Sequence, residues 1–484
     1  MIHFVRENMA PLMFGGMVLF MLIGYPAAFS LAATGLFFGF IGIELGLISP
    51  DFLGNLTYQL FGIVSNDLLL AIPFFTFMGA ILERCGLAED LLDSIGQLFG
   101  PVRGGLSYAV IFVGAILGAI TGTVAASVIA MGVISMTPML KYGYSTRHTM
   151  GVIAASGTIT QLIPPSLVLV VLADQLGRSV GDMYAGAIGP SIIQLALFCG
   201  WVAIVSVLWP KDVPALPLEA RTLKGWALWK KCLHGIIPSL GLIFLVLGTI
   251  FMGLATPTEA GALGVVGAIA LAASYGTLTW SLLYQGMSTT MRITAMVVFI
   301  LIGSTCFSVV FLGVNGEQWI ESLLTSLPGG AWGFLIFINL FIFFLAFFLD
   351  FFEIAFIILP MITPVAQKVL APVVGADNAL IWFGVMLCVN MQTSFMHPPF
   401  GFALFYLRGV APREVKSSDI YWGALPWVGL QLIMVALVVA FPVMVTGLLD
   451  SPSKVDTSKV RIELPAPSDD TYEQPVIIPP EKSQ

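Results

Sequence analysis

Charge is what this sequence has least of. Of 484 residues only 10% are Asp, Glu, Lys or Arg, too few to cover the surface of a soluble protein of this size, so a water-soluble enzyme or nucleic-acid-binding protein is excluded. Histidine is scarcer still, with four in the chain and none at the HExxH spacing of a zinc protease. The five cysteines, Cys85, Cys199, Cys232, Cys306 and Cys388, include no CxxC pair. They sit in or beside apolar stretches, which points to packing and away from metal or disulfide chemistry. No spacing typical of a metal-ligand cluster stands out either, so the expectation is a protein that is not an enzyme.

Apolar sequence fills the space left by charge. The chain is 58% hydrophobic, with a mean hydropathy of +0.97, and apolar stretches between residues 9 and 448 amount to about a dozen crossings if some are half-length. The fold class is therefore an all-α polytopic membrane protein. The start, "MIHFVRENMAPLMFGG", has no clear cleavage site and reads as a first membrane helix. Residues 450–484 are acidic and proline-rich with no periodic apolar face, and read as a disordered tail. The most basic loop, 210–234, holds Lys211, Arg221, Lys224, Lys230 and Lys231, so it is assigned to the cytoplasm as an interfacial linker between two halves.

The halves resemble each other. "GVIAASGTITQLIPPS" (151–166) precedes "SVGDMYAGAIGPSIIQLALF" (179–198), and "GVMLCVNMQTSFMHPPFG" (384–401) precedes "KSSDIYWGALPWVGLQLIMV" (416–435). Each runs from Gly-Val to a Pro-Pro pair and on to Asp-x-Tyr-x-Gly-Ala, an ordered set that signals duplication. Charge reverses between them: the loop before the first Pro-Pro segment (141–148) is basic, whereas in the second half Arg408, Arg413 and Lys416 follow it. Opposite orientations satisfy both, so the expected relation is an inverted repeat.

A Pro-Pro pair at membrane depth removes two donors and frees carbonyls that lipid cannot satisfy. Ser156, Gly157, Thr158, Thr160, Gln161 and Ser166 surround the first pair, and Asn390, Gln392, Thr393, Ser394 and His397 the second. These are materials for an ion or substrate site, or else for proline kinks bonded to neighbouring helices. Upstream, "GAITGTVAASVIAMG" (118–132) offers small residues and the hydroxyls of Thr121, Thr123 and Ser127, suited to a cation site or to tight helix contact. At the corresponding place in the second half, "FLAFFLDFFEIAFIILP" (344–360) sets Asp350 and Glu353 in apolar surroundings, with no Lys or Arg between Arg292 and Lys368. Either a cation or proton satisfies them, or they sit at a hairpin tip in water. Glu259, just after Pro257, reads as a helix cap.

"GAITGTVAASVIAMG", "IPPSLVLVV", "GDMYAGAIGP", "TPTEAGALG", "FLDFFEIAFIILP" and "QTSFMHPPFGFALFYLRGVAP" together resemble the successive signatures of the DctM-type large membrane subunit of TRAP transporters, the tripartite ATP-independent periplasmic carriers. The resemblance implies inverted repeats, each with a re-entrant hairpin and a broken helix, and a scaffold carrying a moving transport domain (an elevator). It also implies sodium-coupled import of a small organic acid across the bacterial inner membrane, a small DctQ-type membrane subunit and a periplasmic substrate-binding protein. No cofactor is implied beyond sodium as coupling ion. On this reading residues 1–104 and 235–330 are scaffold, 105–209 and 331–449 are the repeats, 210–234 the linker and 450–484 the tail.

Carried over by motif, Thr121, Gly122 and Thr123, with Ser127 behind them, form the first hairpin tip, beside the break at Gly157, Thr158, Pro164, Pro165 and Ser166. Asp350 pairs with the break at Gln392, Thr393, Ser394, His397, Pro398, Pro399 and Gly401. The implied sodium ligands are Thr121, Thr123, Gly157, Asp350 and Thr393, with substrate between the tips. Thr-Gly-Thr stands where the family often has Ser-Gly-Ser, and His397 where it often has a hydroxyl residue. A stand-alone carboxylate symporter or antiporter of similar fold is the alternative reading.

Overall fold

The computed structural model describes residues 2–121, 124–398 and 401–449, which belong to one compact unit, Met1–Leu449. The expected tail, 450–484, lies outside the described residues. Every regular element among the described residues is helical, as the missing charge and the long apolar runs require. Seven helices are long and apolar enough to cross a membrane, and two sharply bent pairs would bring the number to nine. The protein is thus a multi-pass membrane protein. The figure falls below the dozen apolar stretches because several of these fold as shorter arms, such as Gly105–Thr121 and Val124–Lys141.

The halves repeat one order of elements. Gly105–Thr121 and Val124–Lys141 are followed by Thr146–Thr158, a break, Leu167–Gln175 and the long Val180–Leu208. In the second half Gly330–Leu345 is followed by Phe351–Glu353, a π-helical turn at Ile354–Ile358 and Leu359–Val374, then Ala376–Met391, a break, Phe402–Val410 and Ser417–Ala440. At one end Arg147, which opens the first broken segment, pairs with Asp419, which lies beyond the second (3.0 Å). At the other end Arg178, beyond the first, donates to Gln367 (3.1 Å) and to the Ala376 carbonyl (3.2 Å), just ahead of the second. The two broken segments therefore run antiparallel.

Helices outside these segments interlock between halves at glycines. Ala27–Glu44 lies so close to Trp280–Gly313 that a Cβ on Gly35 would come within 2.6 Å of the Cys306 carbonyl oxygen. Close approach of this kind replaces the hydrophobic drive that lipid does not supply.

The linker is tied down at several points. Leu216 donates to the Gly100 carbonyl (3.0 Å), Gly104 to Val213 (2.9 Å) and Ser145 to Asp212 (2.9 Å). Lys231 bonds to Asp93 on Leu87–Phe99. Burial pushes the Asp93 carboxyl up, but the bonds from Lys231 and Gln97 outweigh it and hold its pKa below the ordinary value. Helix Trp226–Phe251 begins inside the expected linker, so residues 226–234 are helical. Glu259 accepts from the Thr256 amide (2.8 Å) and Thr256 Oγ1 from the Glu259 amide (3.3 Å), the capping box its position suggested.

Candidate binding site

Proline sets both breaks. Thr146–Thr158 tightens into a 3-10 turn at Ile159–Gln161, passes the Pro164–Pro165 pair and restarts at Leu167, where Ser166 Oγ accepts from the Val168 amide (3.2 Å). Ala376–Met391 does the same through Gln392–Phe395 and restarts at Phe402 after Pro398 and Gly401. Proline has no N–H and disfavours helix in the residue before it, so neither segment can continue.

Several hydroxyls near the breaks spend their protons on their own helices. Ser156 donates to Ile153 (2.9 Å), Thr158 to Ala155 (3.1 Å), Thr160 to Gly157 (3.0 Å), Thr393 to Asn390 (2.7 Å) and Ser394 to Met391 (2.7 Å). Each oxygen then keeps lone pairs as an acceptor. Gln161 Oε1, Asn390 Oδ1 and both amide atoms of Gln392 are buried without a partner. A concentration of unpaired oxygens beside broken helices suits a hard cation. No cluster of His, Cys, Asp and Glu fit for a transition metal occurs among the described residues.

The two breaks touch. Gln431, on Ser417–Ala440, donates to Thr158 Oγ1 (3.1 Å), and its Nε2 lies 3.5 Å from Met396 Sδ. Cys388 donates through sulfur to the Gln161 carbonyl (3.3 Å). The arms of the first hairpin close on the first break: a Cβ on Gly118 would stand 2.8 Å from Thr160 Cα, and one on Gly157 3.0 Å from Val128 Cα. In the second half Asn390 Nδ2 donates to Asn339 Oδ1 and to its carbonyl, both at 2.9 Å, joining Ala376–Met391 to Gly330–Leu345. Asn339→Leu is expected to cost about 0.5–1.5 kcal/mol, because it removes the Oδ1 acceptor while the backbone carbonyl of residue 339 still accepts from Asn390, and Asn339→Leu with Asn390→Leu to recover part of it. Thermal unfolding in detergent reads both.

Asp350 and Glu353 form a reciprocal cap. Asp350 Oδ1 accepts from the Glu353 amide (2.9 Å) and Glu353 Oε2 from the Asp350 amide (3.0 Å), starting the π-helical arm with both carboxylates half-buried. Beside this cap lies a cavity of about 300 Å³. Val124 and Ala125 of the first hairpin, Gln161, Leu167 and Val168 of the first break, and Asp350, Phe351 and Phe352 of the second hairpin line it. Phe395, Phe402 and Tyr406 of the second break and Ile293 and Met296 of Trp280–Gly313 complete the wall.

Of the residues named from sequence as site material, Asp350 and Gln161 are among the lining residues described. Ser127, Gly157, Thr158, Pro164, Pro165, Ser166, Gln392, Thr393 and Ser394 are buried in the surrounding packing. Pro398 and Gly401 shape the second turn, where the Gly401 amide donates to the His397 carbonyl (2.6 Å). His397 is buried apart from the cavity lining, stacked on Phe347 (centroids 4.2 Å) and edge-on to Phe343 (4.4 Å). Neither of its ring nitrogens has a well-formed hydrogen bond, and the Ala346 backbone is the polar group facing it. Gly122, Thr123, Pro399 and the side chain of Thr121 lie outside the described residues. Gln431, Met396, Asn339 and Tyr406 were not nominated. For Gln431 a signal existed: it stands in the same register after Asp419 as Gln194 does after Asp182.

Residues 14–444 match the family model described as the tripartite ATP-independent periplasmic transporter, DctM component. A "C4-dicarboxylate TRAP transporter large permease protein DctM" of Pseudomonas aeruginosa is 31% identical over 398 residues, 82% of this chain and 89% of that one. An "Ectoine/5-hydroxyectoine TRAP transporter large permease protein" of Ruegeria pomeroyi is 27% identical over 439 residues, 90% of this chain and 97% of the relative. Among solved structures, the Alcanivorax borkumensis YdaH transporter superposes with a TM-score of 0.56 at 15% identity, covering 82% of this chain and 90% of its own, a likeness of fold.

Proposed function

The chain belongs to the DctM component family of tripartite ATP-independent periplasmic transporters, and from that premise we propose that it is the large membrane subunit of a sodium-coupled importer of a small organic acid. The family is one of transport proteins and not of enzymes, and its large permeases work with a small membrane subunit and a periplasmic binding protein. In this reading the chain sits in a bacterial inner membrane and receives its substrate from the binding protein.

The observation that carries the reading is the cavity of about 300 Å³ on which both hairpins and both breaks converge, a size and placement suited to a small ligand. Sodium is cargo here, carried with the acid. Its candidate ligands are the oxygens of Thr121, Thr123 and Gly157 at one break and of Asp350 and Thr393 at the other. The unpaired oxygens of Gln161 and Gln392 support a cation in this neighbourhood. The antiparallel broken segments support an inverted repeat, with the hairpins and breaks moving together past the remaining helices as an elevator.

The test is uptake into proteoliposomes holding this chain and its small subunit, with the binding protein outside. Uptake that needs both a sodium gradient and the binding protein is the expected result. Uptake without the binding protein would replace the tripartite importer with a stand-alone carrier.

A further inference from the structure

Tight glycine contacts sort the helices into two sets. The outer set lies outside the hairpins: a Cβ on Gly303 of Trp280–Gly313 would fall on the Ala28 carbonyl oxygen of Ala27–Glu44, and one on Gly35 would meet the Cys306 carbonyl oxygen in return. The inner set holds the hairpins, the broken segments and the long helices after them. There a Cβ on Gly114 would stand 2.8 Å from the Ser156 carbonyl oxygen, and one on Gly151 would fall on that of Gly423. Among the described residues no glycine makes such a backbone contact from one set to the other, except where the chain itself passes between them, as Gly105 does against Phe99. Helices locked backbone to backbone move together, so the boundary between the sets is where movement costs least.

At that boundary lies a second cavity of about 300 Å³. Ser304, Thr305 and Ser308 of Trp280–Gly313 line one side of it, and Phe356 and Pro360 of the second hairpin another. Two further lining residues bond across it: Asn66 Nδ2 donates to Asp174 Oδ1 (2.8 Å). Asn66 is fixed in the outer set. Its Oδ1 accepts from the Leu68 amide (2.9 Å), and the carbonyl of the next residue, Asp67, accepts from Thr258 Oγ1 of Pro257–Ser274 (2.8 Å). Asp174 belongs to the inner set, near the end of Leu167–Gln175, where a Cβ on Gly384 would stand 2.6 Å from Leu176 Cδ1. Its Oδ2 accepts from Gln175 Nε2 (2.9 Å). Both Asn66 and Asp174 are half-buried beside a polar wall. A hydrogen bond to a carboxylate is stronger than a neutral one, yet here water can take over both partners when it breaks. Such a bond biases an arrangement without locking it.

We propose that the Asn66–Asp174 hydrogen bond is a releasable catch between the two sets, holding the arrangement seen here and opening each time the hairpins and broken segments move in transport. The catch rests on the transporter reading above and adds to it a residue pair that sets how often the inner set is released.

The full chain in lipid nanodiscs, with Ser304→Cys added as a reporter, tests this without a substrate. Ser304 is 4% exposed and lines the cavity, so a thiol there reacts with N-ethylmaleimide chiefly when the sets part. Cys85 in the outer set and Cys388 in the inner one are fully buried and report general loosening, with each site read by mass spectrometry. Asn66→Ala and Asp174→Ala should each speed labelling at position 304 by about three- to tenfold, the range for losing a half-exposed bond to a carboxylate, and the double variant by no more than either. Asn66→Asp keeps the acceptor for the Leu68 amide but sets a second carboxylate against Asp174, and should speed labelling at least as much. Cys85 and Cys388 should keep their wild-type rates. Unchanged labelling at position 304, or effects of the two alanines that multiply in the double variant, would overturn the catch and leave the importer standing. Equal acceleration at Cys85 and Cys388 would overturn it too, reducing the bond to a contact that holds the fold. Labelling at position 304 as slow as at Cys85 and Cys388 in every variant would remove the catch together with the elevator movement beneath it.

Discussion

Asp350→Asn should reduce sodium-dependent uptake by about tenfold or more while the protein still inserts and unfolds near the wild-type temperature. The substitution separates the cap that the structure shows at this residue from the sodium contact proposed for it. Asp350 Oδ1 caps the arm that begins at Phe351, accepting from the Glu353 amide (2.9 Å), and asparagine caps about as well as aspartate. The cap therefore survives and the charge is lost. If that charge helps hold a co-transported cation, the lost interaction is worth about 1.5–3 kcal/mol, which is roughly ten- to a hundredfold in apparent sodium affinity. Asp350→Ala removes the cap as well and should cost about a further 1 kcal/mol of stability. Glu353→Gln keeps an acceptor for the Asp350 amide (3.0 Å) and should leave uptake near wild type. Wild-type uptake and sodium dependence in Asp350→Asn would reduce the residue to a helix cap and strike it from the site.

The capping box shows what could be read from sequence here and what could not. The sequence raised the question of why two acids lie in an apolar run, and the structure answers half of it without any ion. Each carboxylate bonds to the other's backbone amide. The Pro-Pro breaks, the cap at Glu259 and the repeated Asp-x-Tyr-x-Gly-Ala are legible as local patterns, whereas the box of Asp350 and Glu353, equally local, is not legible as one because its apolar surroundings point to an ion or a proton. The contact of Gln431 is not legible either, although its register with Gln194 marks the residue, because its partner Thr158 is 273 positions away and in the other half of the chain. His397 illustrates a different limit. Its place beside the second Pro-Pro pair suggested a part in an ion or substrate site, yet Phe343 and Phe347 enclose the ring, and only tertiary packing could show it. Span counting meets a third limit: hydropathy reports apolar length, and does not show where that length divides into short helices such as Gly105–Thr121 and Val124–Lys141.

Gly423→Val is expected to be among the most damaging single changes in the chain. Gly423 lies on Ser417–Ala440 where that helix crosses Thr146–Thr158, and a Cβ there would fall on the Arg147 carbonyl oxygen, with the carbonyl carbon 3.0 Å away. Across the contact, a Cβ on Gly151 would meet the Gly423 carbonyl oxygen and stand 2.5 Å from Trp427 Nε1. The obstacles are largely backbone, so no rotamer change relieves them and the helices must separate. Overpacking at such a crossing costs about 1–3 kcal/mol for Gly423→Ala, and more for valine. Separation would also carry Gln431 away from Thr158, since both lie on the same two helices. The exposed Arg147–Asp419 pair at the end of the crossing (3.0 Å) should matter little by comparison, because exposed pairs contribute about 0–1 kcal/mol. Thermal unfolding should therefore fall steeply in the order Gly423→Val, Gly423→Ala, Asp419→Asn. If Asp419→Asn unfolds first, the crossing is held by charge at its end and not by backbone contact at its centre.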